Sequence, residues 1–76
     1  MRINVECCMR RSGELEPYMF RLGERRLHVA RIVERLIQAG ERIFTVCVDD
    51  GRCFVLRQDL ANGDWRLARV LPPRFA

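Results

Sequence analysis

The chain has no lysine; all 14 of its basic residues are arginine. Hydroxyl and imidazole groups are almost as sparse: Ser12 and Thr45 are the only Ser and Thr, and His28 is the only histidine. A Ser-His-acid group would have to draw on Ser12, in a loop far along the chain from any strand end, so nucleophilic chemistry of that kind is disfavoured. His28 lies on the polar side of an amphipathic segment, where a histidine is usually solvated. No Gly-rich phosphate loop or dinucleotide fingerprint occurs. No apolar run approaches the ~20 residues of a membrane helix, and MRINVECCMRR lacks the apolar core of a secretory signal. The expectation is a cytoplasmic, non-enzymatic protein with no membrane partner and no cofactor.

At 76 residues there is room for one core, so the chain reads as a single domain over 1–76 with 72–76 as a frayed tail after Pro72-Pro73. The net charge is +4. Arginine offers planar, bidentate donors suited to phosphate, so an all-arginine basic surface suits nucleic acid. A genome rich in G and C would give the same bias. The second reading carries more weight, because acids are interleaved throughout and only Arg10-Arg11 and Arg25-Arg26 are adjacent.

The best-defined stretch is Ile43–Leu60, two apolar runs joined by Asp49-Asp50-Gly51. It has the signature of a hairpin. A two-residue turn at Asp50-Gly51 would set Phe44 against Arg57. A three-residue loop, with Gly51 left-handed as a bulge, sets Cys47 against Cys53, Val46 against Phe54 and Phe44 against Leu56. The longer loop gathers Phe44, Val46, Val48, Phe54 and Leu56 on one face. Ile43, Thr45, Cys47, Cys53, Val55 and Arg57 fall on the other. A slip of one residue would turn the apolar set outward, so the three-residue loop is preferred.

Around this hairpin, Arg2–Met9 alternates weakly and suits an edge strand. Arg10–Pro17 reads as a loop, Tyr18–Leu22 as a short strand, and Gly23-Glu24 as a two-residue turn with Gly first. Asp59–Asp64 is a turn region. Trp65–Leu71 follows as a strand, with Trp65, Leu67 and Leu71 expected on one side. Arg26–Gln38 is ambiguous. At helical spacing Val29, Ala30, Ile32, Val33, Leu36, Ile37 and Ala39 share one side, with Gly40 where a helix would end. As a strand the same segment needs bulges.

From Pro17 onward the spacing resembles a family of short, uncharacterised bacterial β-domains, similar to small meandering barrels. The matching positions are Phe20, Leu22, Gly23, Leu27, Val29, Phe44, Val46, Gly51, Phe54, Leu56, Asp59, Gly63, Trp65 and Leu67. The chain departs from the pattern at Leu36, where the family usually has Trp, and at its cysteine-bearing N-terminus. The resemblance implies an all-β fold, and some such domains lie beside or within bacterial DNA-repair polymerase systems. The fold expected is therefore mainly β, a small antiparallel meander or barrel of five to six strands. The alternative is α+β, with one helix at about 26–39 packed on an antiparallel sheet.

Three sites follow as candidates. A nucleic-acid face would use Arg42, Arg52, Arg57, Arg66 and Arg69, with Tyr18 as an aromatic beside them. A protein-binding or homodimerising face would use Ile43, Thr45, Cys47 and Val55 on the second side of the hairpin. Cys7, Cys8, Cys47 and Cys53 are a weak zinc set, because no Cys-x-x-Cys is present and adjacent cysteines cannot easily share one tetrahedral ion. A redox-sensitive Cys47–Cys53 pair is the other functional use of the cysteines, and small buried thiols are the preferred reading. The function expected is a small binding module whose partner is nucleic acid or protein, a homo-oligomer included.

Overall fold

The computed structural model describes residues 1–72. Among them there is no helix: the chain forms β1 (Arg2–Ile3), β2 (Val5–Met9), β3 (Leu15–Leu22), β4 (Arg25–Gln38), β5 (Glu41–Val48), β6 (Cys53–Asp59) and β7 (Trp65–Leu71). All pairings are antiparallel, in the order β1-β7-β6-β5-β4-β3-β2. β1 and β2 stand at opposite ends of this order, yet only Asn4 separates them in sequence. The sheet therefore curls into a half-barrel until both ends meet the N-terminal segment. The Met1 carbonyl accepts from the Leu67 amide and the Asn4 carbonyl from the Arg21 amide, which fastens both seams. The single edge strand expected at Arg2–Met9 is thus two strands serving two edges.

The β5–β6 hairpin has the expected register, with Phe44 opposite Leu56, Val46 opposite Phe54 and Cys47 opposite Cys53. The Gly51 amide donates to the Val48 carbonyl, the Val48 amide to the Arg52 carbonyl, and Gly51 has φ of 91°. That is a type I turn followed by a left-handed bulge residue. Its inward residues Phe44, Val46, Phe54 and Leu56 are almost fully buried. The rings of Phe20 and Phe54 meet edge to face with centroids 5.2 Å apart, while Phe44 and Trp65 lie 5.7 Å apart. Ile3, Leu27 and Val48 complete the buried core.

Arg25–Gln38 is a strand, so the helical alternative at 26–39 is set aside. Two register shifts, one between Val29 and Arg31 and one between Ile32 and Glu34, leave Ala30 and Val33 as extra residues. A residue added at a bulge resets which side chains face inward. Gly40 ends no helix. Gln38 pairs with Glu41 across Ala39 (φ 52°) and Gly40 (φ 78°), both left-handed as a two-residue hairpin of type I′ requires.

Two other expectations change. β3 begins at Leu15, so the loop at Arg10–Pro17 is shorter than its composition implied. Pro17 is accommodated where the β2–β3 register shifts: Cys7 pairs with Pro17 but Glu6 with Met19, leaving Tyr18 as the extra residue. In β7 a shift between Val55 and Leu56 leaves Ala68 unpaired. Trp65 and Leu67 face the core, but Leu71 stands opposite Cys53 on the outer side.

Candidate nucleic-acid interface

The outer side of the sheet carries the charges that decide this site. Acids neutralise three of the five arginines singled out from sequence. Arg57 and Arg66 both donate to the Glu41 carboxylate at 3.1 Å, and Arg52 donates to Asp50 at 2.8 Å. These contacts hold the Glu41 and Asp50 carboxyls below the usual range. For Glu41 the hydrogen bond from Arg57 is the main cause and that from Arg66 follows; for Asp50 it is the Arg52 backbone amide. Arg42 and Arg69 have no carboxylate at ion-pair distance among the described residues. Arg42 instead lies 4.8 Å from the centre of the Phe44 ring. Tyr18, the bulge residue of β3, is exposed but sits apart from the others, beside Val29, Ala30 and Arg31. The six side chains do not form one surface.

A different set does. Arg21 stands directly opposite Arg26 in the β3–β4 pairing, and Met19 opposite His28. Leu27 and Phe20 between them are buried, so Arg21, Arg26 and His28 point outward, and all three are exposed. Further along β4, Arg31 is exposed and opposite Cys47. No carboxylate among the described residues lies at ion-pair distance from Arg21, Arg26 or Arg31. Like charges directly across a ladder are destabilising, so the Arg21–Arg26 pair is a position that an anion would relieve. This ladder was not visible in the sequence because Arg21 and Arg26 belong to different strands. The signal that could have found it was the Gly23-Glu24 turn, which fixes their pairing.

The hairpin's second face adjoins the ladder. Ile43 and Cys47 on it are buried, while Thr45 and Val55 are half-buried. Arg31, Val33, Thr45, Cys47, Cys53, Leu71 and Pro72 line a cavity of about 220 Å³. Arg69 is opposite Val55, on the β7 side of the same face. Of the nucleic-acid set expected from sequence only Arg69 borders this apolar patch, and Arg31, which was not in that set, borders it from β4. Glu34, opposite Thr45, is the acid nearest to it along β4.

The cysteines divide into two pairs. Cys47 and Cys53 are joined as a disulfide, so the reading of four small free thiols is corrected for these two. They occupy the pair next to the hydrogen-bonded Val48–Arg52 pair, where Cα atoms approach most closely, here 4.0 Å. Cys7 and Cys8 are free. Cys7 packs against the core, and burial pushes its thiol up, partly opposed by the charge of Arg42. The zinc set does not assemble: no group of three or more metal-ligating side chains occurs among the described residues. No helix among the described residues is long and apolar enough to cross a membrane.

Compared with protein-family models, with curated proteins and with solved structures, the chain matches none.

Proposed function

We propose that this domain binds single-stranded nucleic acid on the outer face of β3, β4 and β5. The observation that carries the reading is the arginine ladder of Arg21, Arg26 and Arg31, exposed and without carboxylate partners among the described residues. Six other arginines are paired, two with Glu41, two with Glu16 and one each with Asp50 and Asp64. Arg11, Arg25, Arg42 and Arg69 also have no carboxylate at ion-pair distance among the described residues. What sets the ladder apart is that its three arginines share one face. A stripe left unbalanced in such a molecule is suited to an external polyanion. An open strand is the form proposed because its bases are free to reach the apolar patch beside the ladder. The arginine-for-phosphate logic does not need sequence specificity, and none is assigned. The resemblance to small bacterial barrel domains beside DNA-repair polymerase systems agrees with this reading.

The test is fluorescence anisotropy of a labelled oligothymidylate at low salt. The unaltered protein is expected to bind, and the double substitution Arg21→Ala, Arg26→Ala to weaken binding at least tenfold. Absence of binding at low salt would sink the proposal.

The second reading, a protein-binding or self-associating face at Ile43, Thr45, Cys47 and Val55, is favoured by one observation. Its apolar patch continues onto the exposed side chains of Val33 and Leu36. A concentration-dependent increase in mass by light scattering supports it, and a monomer at high concentration counts against it.

A further inference from the structure

We infer that the cavity beside the ladder is a seat for one unstacked base of the bound strand. The inference rests on the nucleic-acid reading above and adds a specific contact to it. The cavity is lined by the Cys47–Cys53 disulfide, Thr45, Val33, Leu71, Pro72 and Arg31. At about 220 Å³ the space is smaller than the roughly 300–1,000 Å³ that encloses a drug-sized molecule. It suits a single planar ring system, with the attached sugar and phosphate left outside.

The lining has the right chemistry for such a ring. Aliphatic walls and a polarizable sulfur pair accept the face or edge of an aromatic system, and sulfur contacts of this type are favourable. Thr45 supplies a hydroxyl that can donate or accept, so it tolerates any base edge. Arg31 can hold the phosphate next to a seated base, and Arg69 flanks the same patch from β7. Arg26, on the same strand as Arg31, continues the path for the next phosphates. Because every base offers a π-face and only one adaptable hydroxyl meets it, the seat distinguishes base from no base, not one base from another. Arg31 and Arg69 flank the patch and Glu34 stands opposite Thr45, so the balance of charge around the seat is positive. An open strand brings a phosphate with every base, where a peptide side chain brings none.

Two probes of equal length and charge separate the seat from the ladder: an oligothymidylate and an abasic deoxyribose-phosphate strand. Methyl resonances of Val33, Thr45 and Leu71 are followed as each is titrated. The oligothymidylate is expected to move these methyls by ring-current effects and to bind at least fivefold more tightly than the abasic strand. The abasic strand should leave the three methyls in place. Val33→Met, at an exposed position, fills the cavity and should bring the two affinities together. Unmoved methyls and equal affinities, with binding still lost in the Arg21→Ala, Arg26→Ala variant, would overturn the base seat and leave the ladder standing. Binding of neither strand would overturn both.

Discussion

Glu16 is the residue on which the open side of the barrel depends. It is only 5% exposed, yet charged, and it is held by Arg35 and by Arg10 at 3.1 Å. Its carboxyl is pushed below the ordinary glutamate value, chiefly by the hydrogen bond from Arg35, with burial opposing. A carboxyl lowered on folding contributes stability that is present above its ordinary value and lost as pH falls through the lowered folded value. Glu16→Gln is expected to cost about 1–3 kcal/mol at pH 7, the worth of hydrogen bonds to charged groups. The same variant should lose less stability than the unaltered protein between neutral and strongly acidic pH. Urea unfolding at both pH values measures the two effects. Ala39 gives the opposite case. A non-glycine residue with φ of 52° carries a conformational cost that Asn bears more easily, so Ala39→Asn should raise stability by about 0.5–1 kcal/mol in thermal unfolding. The residue scale is also where sequence reading fell short. Arg57 and Arg66 look like free cations in the sequence, but Glu41 on β5 reaches Arg57 on the neighbouring β6 and Arg66 on β7 beyond it. Such neutralisation depends on contacts that no spacing rule reveals.

β4 shows why the fold class was hard to read while the hairpin beside it was not. In each strand of the Ile43–Leu60 hairpin the inward residues fall at every second position without interruption, and the acidic loop leaves one register that buries them together. In β4 the inward positions run Leu27, Val29, Ile32 and Arg35, paired with or beside the buried residues of neighbouring strands. Each bulge adds a residue, so the inward spacing becomes three in the middle of the strand, close to a helical period. A strand with two bulges and a helix thus write similar patterns. The same effect in β7 turned Leu71 outward. At this scale the disulfide sets a prediction. It closes a short loop, with a sequence separation of 6, inside a hairpin already fixed by its turn. Chain-entropy arguments then give about 2 kcal/mol of stabilisation. Reduction should lower the free energy of unfolding by that amount and leave the far-ultraviolet spectrum unchanged. Loss of the β signal on reduction would show that the hairpin depends on its crosslink.

For the molecule as a whole, the curl of the sheet separates two environments. Its inner side is filled by Phe20, Phe44, Phe54, Leu56 and Trp65, so among the described residues Tyr18 is the one aromatic left exposed outside the core. The outer side is left with arginine, a disulfide and small apolar groups. In a small domain of modest stability, Phe54→Ala should remove about 3–5 kcal/mol and leave little folded protein, whereas changes at the exposed arginines of the outer face should not disturb the fold. That division lets the charge argument be tested without unfolding the molecule. The decisive measurement is the salt dependence of oligothymidylate affinity in two triple variants of equal net charge. One removes the ladder, Arg21→Ala, Arg26→Ala and Arg31→Ala. The other removes arginines held by carboxylates, Arg2→Ala, Arg10→Ala and Arg66→Ala. With about 0.7 counterions released per phosphate contact on a single strand, the ladder variant should lose about 2 units of log-log slope and the control almost none. Equal slopes in the two variants would contradict the account, because net charge alone would then explain the binding.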